Sequence, residues 1–142
     1  MRTCLFLALA LAVAPSIASA QCFDLAEVNA ETAEGQLLQH IGQESDEAAK
    51  LQLLENFAAQ HPTHEAAGWV YEQLQAAYMK SNSHDKALEI AEKILKLAPG
   101  CAEAAHQALK AAEAKKDPDL VLAWSGRTSE IALQVANAPK PE

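Results

Sequence analysis

Apolar residues recur along this chain at intervals of three and four, and no stretch alternates apolar with polar over a sustained run. That period is helical, because residues i, i+3, i+4 and i+7 share one face of an α-helix. Six helical stretches are predicted. The first covers roughly 31–43, with Leu37, Leu38 and Ile41 on its apolar side. Ser45 is the expected N-cap of the second, which carries Leu51, Leu53, Leu54 and Phe57 and stops near Pro62. Thr63 is expected to cap the third, where Ala67, Val70, Tyr71, Leu74, Ala77 and Tyr78 recur at helical spacing.

Ser81-Asn82-Ser83 breaks that helix, and the fourth follows with Ala87, Ile90, Ala91, Ile94 and Leu95 as one apolar stripe. Glu89 with Lys93 and Glu92 with Lys96 are expected i, i+4 pairs on its outer face, each contributing only a few tenths of a kcal/mol. Pro99-Gly100 ends it. A fifth helix, 102–116, presents Ala105, Ala108, Leu109 and Ala112. Asp117-Pro118 then supplies an N-cap and a first-turn proline for the sixth, whose apolar positions are Leu120, Val121, Trp124, Ile131 and Val135. The class is all-α. Short polar turns make neighbouring helices antiparallel, and no hairpin can bury its face alone. The expected architecture is a short right-handed α-solenoid of about three hairpins, with a closed helical bundle as the competing arrangement.

The stretch from Trp69 to Pro99 resembles the tetratricopeptide repeat, a two-helix unit that stacks into superhelices. Tyr71 stands at the early aromatic position of the repeat's first helix, followed by Leu74 and Tyr78; Ala87 stands at the first small position of the second helix, and Pro99 closes the unit. Pro62 and Pro99 are spaced by slightly more than the family's usual repeat of roughly 34 residues. The chain departs from the pattern at three places. Gln75 replaces a small residue that lets the paired helices approach, Ala91 replaces a bulky aromatic, and Ile94 replaces a second small residue. The flanking hairpins match only weakly. The resemblance implies a TPR-like scaffold that binds a protein or peptide in a concave groove. Carried over position by position, the groove would be lined by Trp69, Glu72, Ala76, Met79 and Lys80, and in the next unit by Glu103, His106, Lys110 and Glu113. Glu72 and Ala76 stand where the carboxylate-gripping versions of the family carry basic and amide side chains, so that mode is disfavoured.

The beginning of the chain changes the picture of where it works. Met1-Arg2, the apolar run from Leu5 to Ala14 and the Ala18-Ser19-Ala20 triplet form a secretory signal pattern. The run is shorter than the roughly 20 residues a membrane span requires. The expected organisation is a cleaved leader at 1–20, an N-terminal extension at 21–30, the helical domain at 31–137 and a flexible tail at 138–142. The expected location is periplasmic or extracellular, with no stable membrane insertion. Net charge is −8 and becomes more negative once Arg2 leaves, which disfavours nucleic acid and anionic lipid as partners.

Cys22 and Cys101 remain after cleavage. Export makes an intramolecular disulfide one option; a free or intermolecularly paired thiol next to a mobile terminus is the other. His61 and His64 are separated by a proline in a predicted turn, and are read as surface or structural residues rather than metal ligands. No nucleophile elbow, phosphate loop, dinucleotide fingerprint or zinc-protease motif occurs. The expectation is therefore a non-enzymatic binding scaffold needing no cofactor or metal. The alternatives are a structural homo-oligomer or a thiol- or metal-linked accessory protein.

Overall fold

The computed structural model describes residues 21–25 and 27–139; the expected leader and residues 140–142 lie outside them. Among the described residues there are six helices and no strand: α1 (Ala33–Gln43), α2 (Glu47–Gln60), α3 (Ala67–Lys80), α4 (His84–Leu97), α5 (Ala102–Lys115) and α6 (Pro118–Asn137). The all-α reading holds, and the element boundaries follow local capping chemistry. The Thr32 hydroxyl accepts the Gly35 amide at 3.0 Å, so α1 starts two residues later than the periodicity alone indicates. Asp46, rather than Ser45, caps α2 by accepting the Ala49 amide at 2.7 Å, while its own amide donates to Glu44 Oε1. Asp117 accepts the amides of Asp119 and Leu120 at 3.1 Å, and Pro118 opens α6 as expected.

Thr63 does not cap α3. The His64 amide donates to the His61 carbonyl and the Ala67 amide to the His64 carbonyl, so two consecutive turns occupy 61–66 before the helix begins. Between α3 and α4 the chain reverses through Asn82 at φ 56°, a left-handed conformation that asparagine tolerates. Lys116 adopts the same φ at the end of α5, shortening that helix to Lys115.

Each helix packs on the next in the chain, and α3 also reaches α5; α1 packs on no helix but α2. The core runs from Leu38 and Ile41 of α1 through Leu54 and Phe57 to Val70, Tyr71, Leu74 and Tyr78 of α3. It continues through Ala87, Ile90, Ala91, Ile94 and Leu95 to Trp124 and Ile131 of α6. Between them the fully buried positions of α5, with Leu109 partly buried beside them, are all alanine: Ala104, Ala105, Ala108, Ala111 and Ala112. Their small side chains let α4 and α6 approach the α5 backbone, and the Thr128 hydroxyl donates to the Ala105 carbonyl at 3.1 Å. Gln75, long where a small residue was expected, is 3% exposed and spans the α3–α5 contact by donating Nε2–H to the Ala104 carbonyl at 3.0 Å.

Two expectations for the outer surfaces are corrected. Glu92 pairs with Arg127 of α6 at 2.5 Å rather than with Lys96, while Glu89 and Lys93 do pair, at 3.1 Å. Val135 is exposed, although it lies beside the α4–α5 turn, where a Cβ at Gly100 would be 3.7 Å from its Cγ2. The stretch before α1 carries no helical period, yet three of its residues pack on the helical domain. Phe23, Leu25 and Val28 lie partly buried against the core. Gly68 makes room for this segment: a Cβ there would lie 2.3 Å from Phe23 Cδ1. Gly35 does the same where a Cβ would lie 1.8 Å from the Asn29 carbonyl oxygen.

Candidate functional site

Two adjoining clefts share one side of α3. One, of about 490 Å³, lies against α2 and has Leu51, Leu54, Ala76 and Ala77 among its lining, with Glu44, Glu47, Lys50 and Lys80 around it. The other, of about 290 Å³, lies towards α5 and the N-terminal segment, with Gln21, Glu72, Met79, Glu103 and Gln107 in its walls. Gln73, Ala76 and Lys80 line both. Lys80 forms an exposed ion pair with Glu47 at 3.0 Å, a contact of small energetic weight in water.

Five of the nine predicted groove residues meet in this second cleft: Glu72, Ala76, Met79 and Lys80 of α3 and Glu103 of α5. Trp69, His106, Lys110 and Glu113 line neither cleft. Trp69 instead packs partly buried against the core, and the other three are exposed on α5. Sequence reasoning missed Leu51, Leu54 and Gln73, whose cleft lies between successive hairpins rather than along one helix face. It also missed Gln21, whose segment has no periodicity to announce where it sits.

Glu72, in the wall of the second cleft, also belongs to a compact group with two cysteines. Cys22 and Cys101 are joined by a disulfide with Cα atoms 5.7 Å apart. Cys101 is 2% exposed and occupies the N-cap of α5, while Cys22 lies at the surface. A Glu72 carboxylate oxygen and the two sulfurs all lie within 4.8 Å of one another. The Cys22 amide donates to Glu72 Oε1 at 2.7 Å, whereas Oε2 is buried without a hydrogen-bond partner. Burial raises the carboxyl pKa above its ordinary value; the amides of Cys22 and Phe23 oppose this, and the charges of Asp24 and Glu103 add to the rise. Glu72 therefore holds a proton more readily than an ordinary surface glutamate.

A second polar group ties α2 to the middle hairpin. The Tyr78 hydroxyl donates to Glu55 Oε1 at 2.6 Å, and Lys86 Nζ reaches the same oxygen at 3.0 Å. These hydrogen bonds, Tyr78 first, hold the Glu55 carboxyl below its ordinary pKa, while burial and the adjacent carboxylate push the Tyr78 phenol well up. His61 and His64 sit over Phe57, and His64 Nδ1 accepts the Ala66 amide at 3.1 Å, so that nitrogen shapes the turn. No helix among the described residues is long and apolar enough to cross a membrane. Comparisons with family models, with curated proteins and with solved structures give no match.

Proposed function

We propose that this chain is a non-catalytic binding module, an exported stack of three helix hairpins of the tetratricopeptide-repeat kind that docks a segment of a partner protein along α3. The observation that carries this reading is the pair of adjoining clefts that share Gln73, Ala76 and Lys80. Together they offer an apolar floor of Leu51, Leu54, Ala77 and Met79 beneath a rim of both charge signs. Apolar partner side chains on that floor would contribute about 25 cal/mol per Å² buried, and the mixed rim would fix orientation. The packing order supports the stacked reading, since each helix contacts its successor and α3 extends to α5. The leader pattern at 1–20 supports export.

A photo-crosslinking residue placed at Ala76, with the same residue at exposed Glu130 as control, tests the site in the native compartment. Adducts formed from position 76 and absent from position 130 are expected, and Ala76→Arg should abolish binding of the identified partner while leaving the melting temperature unchanged. Identical adducts from both positions would refute the groove.

A second reading is favoured by exposed Leu122, Leu133 and Val135 on α6, which a second copy could cover. Light scattering at high concentration decides it, since a strict monomer removes that arrangement.

A further inference from the structure

We propose that Cys22, Cys101 and Glu72 form a thiol–disulfide exchange centre, in which the Glu72 carboxylate carries the proton and residues 21–25 are the segment released when the disulfide opens. The proposal stands on the geometry at the α3–α5 contact and does not depend on the binding reading.

The two sulfurs are unequal. Cys22 lies at the surface on a non-helical segment, so an incoming sulfur reaches it first. Cys101 is buried at the start of α5, so it is the sulfur left behind when an incoming thiolate takes Cys22. Glu72 lies close to both sulfurs and is held by the backbone of the segment it would serve: Oε1 takes the Cys22 amide, leaving Oε2 free of protein partners. The charged groups that face it are Asp24 on the segment and Glu103 on α5. Proton transfer over this separation proceeds directly after a small rearrangement or through one water.

The chemistry balances in both directions. On opening, an external thiolate attacks Cys22 Sγ, the Cys22–Cys101 bond breaks, and the departing Cys101 sulfur takes the proton from Glu72. The products are a mixed disulfide on Cys22, a Cys101 thiol and a Glu72 carboxylate. On closure, that carboxylate removes the Cys101 proton, and the thiolate attacks Cys22 Sγ. The S–S bond between Cys22 and the external group breaks, and the external thiolate leaves. The co-reactant is a small thiol or the exposed dithiol of a redox protein. Opening removes the covalent link that holds Phe23 over Gly68, so the segment, with the Gln21 that lines the second cleft, becomes free to leave.

Closure can be followed on the purified protein by forming the Cys22–glutathione mixed disulfide from reduced protein and oxidised glutathione. Acid quenching and mass spectrometry then give the rate between about pH 3 and pH 9, a range spanning carboxyl and thiol titration. Glu72→Gln retains an acceptor for the Cys22 amide while losing the base. It is expected to slow closure about tenfold near neutral pH and to abolish the low-pH limb of the profile. Asp24→Asn and Glu103→Gln should shift that limb without removing it. Unchanged or faster closure in Glu72→Gln would overturn the proton role, since removing a mere negative charge raises the thiolate fraction. If Glu72→Gln does not fold, the wild-type profile decides: a single thiol titration with no lower step overturns the role. Hydrogen exchange on the reduced protein tests release. Residues 21–25 should lose protection while α3 and α4 keep theirs, and a segment that stays protected refutes it.

Discussion

Gly68→Ala gives a test of the N-terminal segment in which the sign of the effect depends on a residue 45 positions away in the chain (68 − 23). A Cβ at position 68 would meet the Phe23 ring at 2.3, 2.4 and 2.6 Å, against the roughly 3.5–4.0 Å of a comfortable carbon contact. The ring must therefore retreat by more than about 1 Å, and it loses its seat on α3. Full burial of a phenylalanine stabilises by about 1.5–3 kcal/mol, so the partly buried Phe23 stands to lose about 1–2 kcal/mol. Against this, alanine favours a helix over glycine by up to about 1 kcal/mol, and roughly half of that applies in the first turn of α3. The net expectation is destabilisation of about 0.5–1.5 kcal/mol in the wild-type background. In a Phe23→Ala background the obstruction is gone, and the same substitution should stabilise by about 0.5 kcal/mol. Urea denaturation of the four oxidised proteins, compared at constant m-value, measures the difference as a coupling energy of about 1–2 kcal/mol. Equal stabilisation by Gly68→Ala in both backgrounds would show that Phe23 does not occupy this position.

The other expectations concern separate features. Leu74→Ala removes a side chain that is 1% exposed between α3 and its neighbours and should cost about 2–5 kcal/mol; a melting temperature within a degree of wild type would count against that placement. Replacing both cysteines by serine opens a link across 79 residues and should cost about 2–5 kcal/mol, read from urea midpoints of oxidised wild type and variant. Tyr78→Phe removes the main group depressing the Glu55 pKa, so that carboxyl should titrate closer to its ordinary value in carbon-detected NMR. The pH signs of two carboxyls oppose each other. Glu55, depressed on folding, contributes stability above its unfolded pKa that is lost as pH falls through its folded pKa. Glu72, raised on folding, contributes stability that is full below its unfolded pKa and lost as pH rises through its folded pKa. Stability curves of Glu55→Gln and Glu72→Gln across the acid range should consequently deviate from wild type in opposite directions. Lys116→Gly relieves a left-handed lysine and should stabilise by about 0.5–1 kcal/mol in thermal melts.

Helix identity was readable because each apolar stripe repeats several times and several ends carry chemical punctuation. Asp117-Pro118 marks a helix start by itself, and Trp124 and Ile131 are buried where the stripe places them. Boundaries were less readable where two neighbouring residues could serve as cap, as with Ser45 and Asp46. The turn at 61–66 was missed because its geometry comes from backbone hydrogen bonds rather than from the Thr63 side chain. Gln75 could be noticed as a departure, but not interpreted, since its role depends on a carbonyl from a helix far along the chain. The segment 21–25 left even less trace. Its seat is made by the absence of a side chain at Gly68, and a glycine near a helix start has several ordinary explanations. Just over half of the predicted groove residues gather in one cleft because the α3 positions lie along one helix. Of the α5 positions only Glu103 joins them; the rest of that stretch of wall is formed by Gln107 and Gln21 rather than by His106, Lys110 or Glu113.

The disulfide also determines how the molecule carries load. Cys22 and Cys101 bracket α1 to α4, so a pull applied at the two chain ends passes from residue 22 directly into α5. The first four helices hang outside the line of force, and only α5 and α6 extend. Reduction puts the bypassed 79 residues back in series, adding roughly 270 Å of contour at about 3.4 Å per residue. The same covalent bond that tethers the N-terminal segment thus makes the chain a short spring when oxidised and a long one when reduced.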